Sequence, residues 1–240
     1  MEVNMNERKL AVLIDGDNAS FRKLDEMMAE LAKFGVPTIK RIYGDWTKSN
    51  TEGWKTQLLE NAITPVQQFA YTTGKNATDS ALIIDAMDIL YGDQVDGFCI
   101  VSSDSDFTRL ATRLREAGKF VIGMGEEKTP TAFISACDRF IYLSVISPKL
   151  SKRRLVSESK RSNVTELIRT SIDDVADDSG YAFLADVGNL MNKKRPDFDP
   201  RNYGFMKLSL LIKSLNEFEV DERPTGNSNV KHVFIKNKRG

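Results

Sequence analysis

The sequence predicts an α/β protein: a Rossmann-like parallel sheet with helices on both faces, followed by a small winged-helix unit. Three observations predict it. Short apolar runs alternate with helix-length amphipathic segments as far as about residue 147. Several of those runs are apolar at almost every position, as strands buried on both faces must be. Beyond them come three helical segments and a hairpin pattern, the make-up of a winged-helix module.

The elements follow in order. "KLAVLIDGDN" (9–18) is a buried strand ending in acid. In "SFRKLDEMMAELAKFG" (20–35), Phe21, Leu24, Met28 and Leu31 recur at helical spacing, Ser20 can cap and Gly35 stops the run. "PTIKRIYG" (37–44) is a strand, "EGWKTQLLENA" (52–62) a helix and "ITPVQQFAY" (63–71) a strand. "NATDSALIIDAMDILYG" (76–92) is a strong helix closed by Gly92. Then come the strand "DGFCIVSS", the helix "SDFTRLATRLREAG", the strand "KFVIGMG", the helix "TPTAFISACD" and the strand "RFIYLS".

"SPKLSKRRLVSESKRSN" (147–163) sets six Lys and Arg against Glu158 and reads as an exposed basic linker. Helices are expected in 163–180, in 182–195 before Pro196, and in 201–216, with two strands around the turn in 218–237. The predicted organisation is 1–147 for the sheet domain, 148–162 for the linker and 163–240 for the winged-helix domain.

Composition narrows the function. At 41% hydrophobic, the 240 residues can build a real core. The net charge of zero hides an asymmetry. Residues 1–150 hold 17 Lys+Arg against 21 Asp+Glu, a net of −4, so 151–240 hold 17 against 13, a net of +4. Cys99 and Cys137 sit in apolar contexts without metal or disulfide spacing. The lone His232 cannot by itself anchor a His-based metal site and reads as a surface residue. No apolar stretch approaches the roughly 18 residues of a membrane span, and "MEVNMNERKL" carries no signal core. A cytoplasmic protein without a membrane partner is expected.

The acids at strand ends carry the chemistry. Ligands of an open parallel sheet collect outside the carboxyl ends of its strands. Asp15 and Asp17 follow the first strand, Asp104 and Asp106 follow another, and Asp79 opens a helix. If these strands lie side by side where the strand order reverses, the carboxylates share one crevice. Such a cluster repels itself, and a divalent cation relieves it. All-oxygen ligands favour Mg²⁺ or Mn²⁺ over Zn²⁺. The competing reading is helix capping, for which Asp17, Asn18, Ser105 and Asp106 are all good types. Asp85 is open to two readings, a supporting group behind the cluster or a solvated helix acid. Lys75, in "TTGKNATD", is either a phosphate contact or a plain loop lysine.

"VLIDGDN", "GKNATDSALIIDA" and "VSSDSDF", in this order, resemble the NYN domain of LabA-like proteins, a branch of the PIN-like nuclease superfamily, over about 8–145. The segment of about 163–238 resembles the LOTUS (OST-HTH) domain, an RNA-associated winged helix. The resemblance implies an acidic pocket for Mg²⁺ or Mn²⁺ and endoribonuclease activity. It maps the catalytic and metal-binding acids onto Asp15, Asp79, Asp104 and Asp106. Asn18 becomes a group that orients metal-bound water, and Ser102 or Ser103 a supporting donor. Where relatives often have "VD" before the apolar helix, this chain has "TD", which keeps the acid.

Two functions are therefore expected to compete. The first is a metal-dependent ribonuclease, with Lys75, Arg41 and Lys48 holding the phosphate chain and Trp46, Trp54 and Tyr71 either stacking on bases or packing. The second is an inactive NYN scaffold that tethers RNA or a protein partner through the LOTUS domain, where Lys193, Lys194, Arg195, Arg201, Lys207 and Lys213 are either basic groups for RNA or ordinary helix-surface cations. A phosphatase built on "DGDN" lacks the Thr its nucleophile motif needs, and no G-x-G-x-x-G supports a dinucleotide site.

Overall fold

A computed structural model of the chain describes residues 7–47, 53–69, 77–146, 158–224 and 231–238. It divides into two compact units, 1–148 and 149–240.

The front unit is a six-stranded parallel sheet. Its strands are β1 (Lys9–Asp15), β2 (Val36–Gly44), β3 (Thr64–Gln67), β4 (Gly97–Val101), β5 (Phe120–Gly125) and β6 (Arg139–Tyr142), in the order β3-β2-β1-β4-β5-β6. The order reverses between β1 and β4, which pair directly from Leu10↔Gly97 to Ile14↔Val101. Pro65, which has no N–H to give, stands in the edge strand β3. Near the start of β2 the register with β1 shifts past Pro37, leaving Thr38 in a bulge.

The period-two alternation of side chains sorts the core into two layers. Leu10, Val12, Ile14, Ile42, Cys99, Val101, Ile122 and Met124 pack with α1 (Leu24–Leu31) and α2 (Trp54–Glu60). Ala11, Leu13, Tyr43, Phe98, Ile100 and Val121 pack with α3 (Ala77–Tyr91), α4 (Thr108–Glu116) and α5 (Thr131–Ala136). Both cysteines are buried in these layers as free thiols. Two expected helices begin as 3-10 turns: Phe21–Lys23 precedes α1 and Ser105–Phe107 precedes α4.

The rear unit packs α6 (Glu158–Val175), α7 (Leu184–Lys194) and α8 (Leu208–Lys213) on a three-stranded antiparallel sheet. Its strands are β7 (Ala182–Phe183), β8 (Phe218–Pro224) and β9 (Lys231–Asn237), in the order β7-β9-β8. The expected three helices and hairpin are present, with three differences. The expected linker of 148–162 is helical from Glu158 onward, because Glu158–Ser162 carries no helix breaker ahead of the buried Val164, Leu167 and Ile168. The expected helix over 201–216 is a 3-10 turn, Pro200–Tyr203, and then α8. Gly204 separates them in a left-handed conformation, φ 82°. The two residues of β7 were too few to show an alternating pattern. The linker residues 148–157 and the hairpin turn of 225–230 lie outside the described residues. Among the described residues no helix is long and apolar enough to cross a membrane.

The wholly buried Leu13 sits at the centre of β1. Leu13→Ala is expected to destabilise the front unit by about 2–5 kcal/mol. Both tryptophans belong to the front unit, so urea unfolding followed by their emission should show a lower midpoint with an unchanged slope.

Candidate active site

Strand parity aims the acids. Ala11 and Leu13 face the α3 layer, so Asp15, at the end of β1, falls on the same side. In β4, Phe98 and Ile100 face that layer, and Ser102 follows in phase. The two meet because β1 and β4 are neighbours: Ser102 Oγ donates to Asp15 Oδ2 at 2.7 Å. Asn18 Nδ2 donates to the same oxygen at 2.7 Å, and the Asp17 N–H donates to Oδ1 at 3.1 Å. Only glycine fits after Asp15, since a Cβ at Gly16 would stand 2.6 Å from the Tyr43 carbonyl oxygen. Asp15 is fully buried. That burial pushes its carboxyl above the usual range, although the donors from Asn18, Ser102 and Asp17 pull it down.

Ser102 also accepts the Asp104 N–H at 3.1 Å, which fixes the start of the next turn. Asp104 Oδ1 accepts the Asp106 N–H at 3.0 Å and caps the Ser105–Phe107 turn. Asp79 lies in the first turn of α3. One carboxylate oxygen each from Asp79, Asp104 and Asp106 falls within 4.8 Å of the others. Burial, then the charges of Asp15, Asp104, Asp106 and Asp17, push Asp79 up to about 6. Three hard oxygen donors with no nitrogen or sulfur among them fit a divalent ion such as Mg²⁺ or Mn²⁺.

The structure thus gathers Asp79, Asp104 and Asp106 into one trio. Asp15 stands beside it, its oxygens already engaged by three protein donors. Capping and clustering prove compatible, because Asp104 caps through Oδ1 and still contributes to the trio. Asn18 contacts Asp15 itself. Of the two serines, Ser102 supports the acids, whereas Ser103 Oγ accepts the Glu126 N–H at 2.9 Å and ties the ends of β4 and β5.

Two residues behave otherwise than expected. Asp85 bonds neither to Asp15 nor to the trio's hydrogen-bonded groups. It accepts hydrogen bonds from Arg41 Nη1 and the Tyr43 hydroxyl, which pins α3 to β2. Arg41 is therefore held in an ion pair, and its guanidinium is raised by that partner, so it is poorly placed to receive a phosphate. The burial and hydrogen bond of Tyr43 push its phenol far above the usual range. Its position opposite Asp15 in β2 left no mark in the sequence beyond an alternating strand. Lys48, Tyr71 and Lys75 lie outside the described residues. Trp54 is buried in the core, and Trp46 Nε1 donates to the Val66 carbonyl at 3.0 Å.

In the rear unit, four of the six expected basic contacts are already paired. Lys194 meets Asp174 at 2.6 Å, Arg195 meets Asp197 at 3.3 Å, Arg201 meets Asp199 at 2.6 Å and Lys213 meets Glu222 at 2.5 Å.

Known proteins agree with this architecture. Residues 9–145 match the NYN domain model, and 156–230 match the OST-HTH/LOTUS domain model. An uncharacterized protein of Methanocaldococcus jannaschii is 28% identical over 162 residues, 65% of this chain and 63% of that protein. The chain thus spans less than two thirds of that relative's length. A Vibrio parahaemolyticus protein of unknown function superimposes with a TM-score of 0.50 at 17% identity, covering 58% of this chain and 95% of its own, a likeness of fold alone. An uncharacterized Nitrosomonas europaea protein is 33% identical with a TM-score of 0.31, covering 39% of this chain and 89% of its own. The chain belongs to the NYN domain family and carries an OST-HTH/LOTUS domain behind its NYN domain.

Proposed function

We propose that the protein is a metal-dependent endoribonuclease that hydrolyses RNA phosphodiesters at the Asp79–Asp104–Asp106 trio. One observation carries the reading: three carboxylate oxygens within 4.8 Å of one another, at the carboxyl ends of a parallel sheet where its strand order reverses. The three acids would hold Mg²⁺ or Mn²⁺. When bound, such an ion supplies Lewis acidity toward a phosphodiester oxygen and activates water as a nucleophile. The chain's own groups do the rest. Asp15, held rigid by Asn18 and Ser102, adds negative potential beneath the trio. Ser102 couples Asp15 to the Asp104 turn, so the end of β1 and the start of the α4 turn keep one geometry. Arg41 and Tyr43, through Asp85, hold α3 and hence Asp79 in place. Lys75 and Lys48 remain the proposed phosphate contacts. The basic rear half attracts the RNA that an acidic front half cannot. A cytoplasmic setting accords with two buried free thiols.

Labelled RNA incubated with the full chain should be cut in Mn²⁺ or Mg²⁺ and left whole in EDTA. Asp104→Asn should slow cutting by about a hundredfold or more. Cutting that survives both EDTA and the substitution would refute the carboxylate mechanism. Retention of RNA without cutting in either metal would instead make the protein an inactive tether.

The raised Asp79 carboxyl gives a second expectation with a defined sign. Its folded value of about 6 lies above the unperturbed 3.8, so the native state binds this proton more tightly. That contribution is complete below about pH 4 and is lost as pH rises through about 6. In EDTA, Asp79→Asn should leave the melting temperature unchanged at pH 4 and raise it by about 2 °C at pH 7.5. Mn²⁺ should raise the melting temperature of the wild type at pH 7.5 and that of the variant much less. Equal responses of the two proteins to Mn²⁺ would remove Asp79 from the ligand set.

A further inference from the structure

The rear sheet has one face in the core and one outside. Ala182, Phe218, Val220, Val233 and Ile235 turn inward onto α6, α7 and α8. The alternate residues form the outer face, and there the register sets Phe183 of β7 opposite Phe234 of β9. Their rings lie 5.6 Å apart, and the exposed His232 ring lies 5.3 Å from Phe183. Neither phenylalanine joins the core. Cations lie over two of the rings: the Arg223 guanidinium sits over Phe234, 4.1 Å from its ring centre, and Lys236 Nζ sits over Tyr181 at 5.1 Å.

We propose that this outer face, built on Phe183, Phe234 and His232 with Arg223 beside them, is a stacking platform for the bases of single-stranded RNA. The inference rests on the RNA reading above and names where in the rear unit the bases go. Three features favour an unpaired nucleic-acid strand as the occupant. The rings of Phe183 and His232, tilted by 56° to each other, and the Arg223 guanidinium over Phe234 are groups on which the faces of unpaired bases stack one at a time, faces that a duplex keeps hidden. The rear half carries a net of +4, complementary to a polyanion. Four of the six basic groups expected to hold RNA are already paired with acids, so a contact made by rings complements them. On the face itself Arg223 bonds to Asp221 and Tyr181 to Glu219, so charge there is nearly balanced and the rings carry the contact.

The test uses the full chain in EDTA and measures binding of a 12-nucleotide single-stranded RNA, its abasic ribose-phosphate counterpart and an RNA duplex. The wild type should bind the single strand about tenfold or more tightly than the abasic chain. Phe234→Leu and His232→Ala should each weaken the single strand and leave the abasic chain unchanged. Phe234→Trp, which keeps a ring, should retain binding. His232 is exposed, so its variant reports even if Phe234→Leu fails to fold. Single-strand binding that ignores all these substitutions, or equal binding of the abasic chain, would overturn the platform while leaving the RNA reading intact. No binding of any RNA by the wild type would overturn both.

Discussion

Mutual repulsion among carboxylates is the constraint around which the front unit is built. Asp15, Asp79, Asp104 and Asp106 come from three separate segments, and nothing about their own interaction would bring them together. The sheet does so because its core is worth more than the repulsion costs. Each residue of β1 from Leu10 to Ile14 is fully buried, and the same run that buries them delivers Asp15 to the strand end. The period of two then decides the face, and the reversal of strand order decides the neighbour. An acid one residue earlier or later on β1 would point at α1 and α2 instead. Burial first, and then the charges of the neighbouring acids, raise the Asp79 carboxyl once the backbone has imposed this meeting.

The support for the cluster is itself graded by burial. Asp15, the deepest acid, is satisfied by three donors, all from residues that follow β1 or β4. Asp104 receives one backbone N–H, and Asp106 lies exposed. A buried carboxylate must be hydrogen-bonded to stay charged, whereas an exposed one keeps its water. The trio therefore lies nearer the surface, whereas both oxygens of Asp15 accept protein donors. The clamp of Arg41 and Tyr43 on Asp85 works at another level. It fixes a helix to a strand, and Asp79 follows because it sits on that helix.

Much of this was legible in the sequence, for identifiable reasons. Strands such as 97–101 are apolar throughout and admit no other placement, so the alternation and the parallel sheet followed directly. Asp15, Asp104 and Asp106 were visible as acids just after buried runs, and Asp79 as an acid at the start of a strong helix within a motif of the family. Contacts between distant segments were not legible. Arg41 read as a free cation because its partner is 44 residues away, and Ser102 and Ser103 were indistinguishable until β5 placed Glu126 beside one of them. The start of α6 was hidden by charge: Lys160 and Arg161 read as linker, although a solvated helix face is equally basic. The expected helix over 201–216 ran through Gly204, whose left-handed conformation ends the 3-10 turn there.

The division of charge between the halves follows from the same constraint. A pocket that concentrates acids to hold a cation cannot also attract a polyanion, since the field that favours the ion repels phosphate. Within the front unit the nearest relief fails, because Arg41 answers Asp85. On the proposed function, recognition and chemistry would be served by surfaces of opposite character, and the sequence divides its charge into halves of −4 and +4. In the rear half several cations are matched by acids within the same unit, Lys194 by Asp174, Arg201 by Asp199 and Lys213 by Glu222, so on the proposed function its charge would draw a strand near without specifying how it lies. Orientation would then fall to groups that act at contact distance, the part proposed for the rings of Phe183, Phe234 and His232.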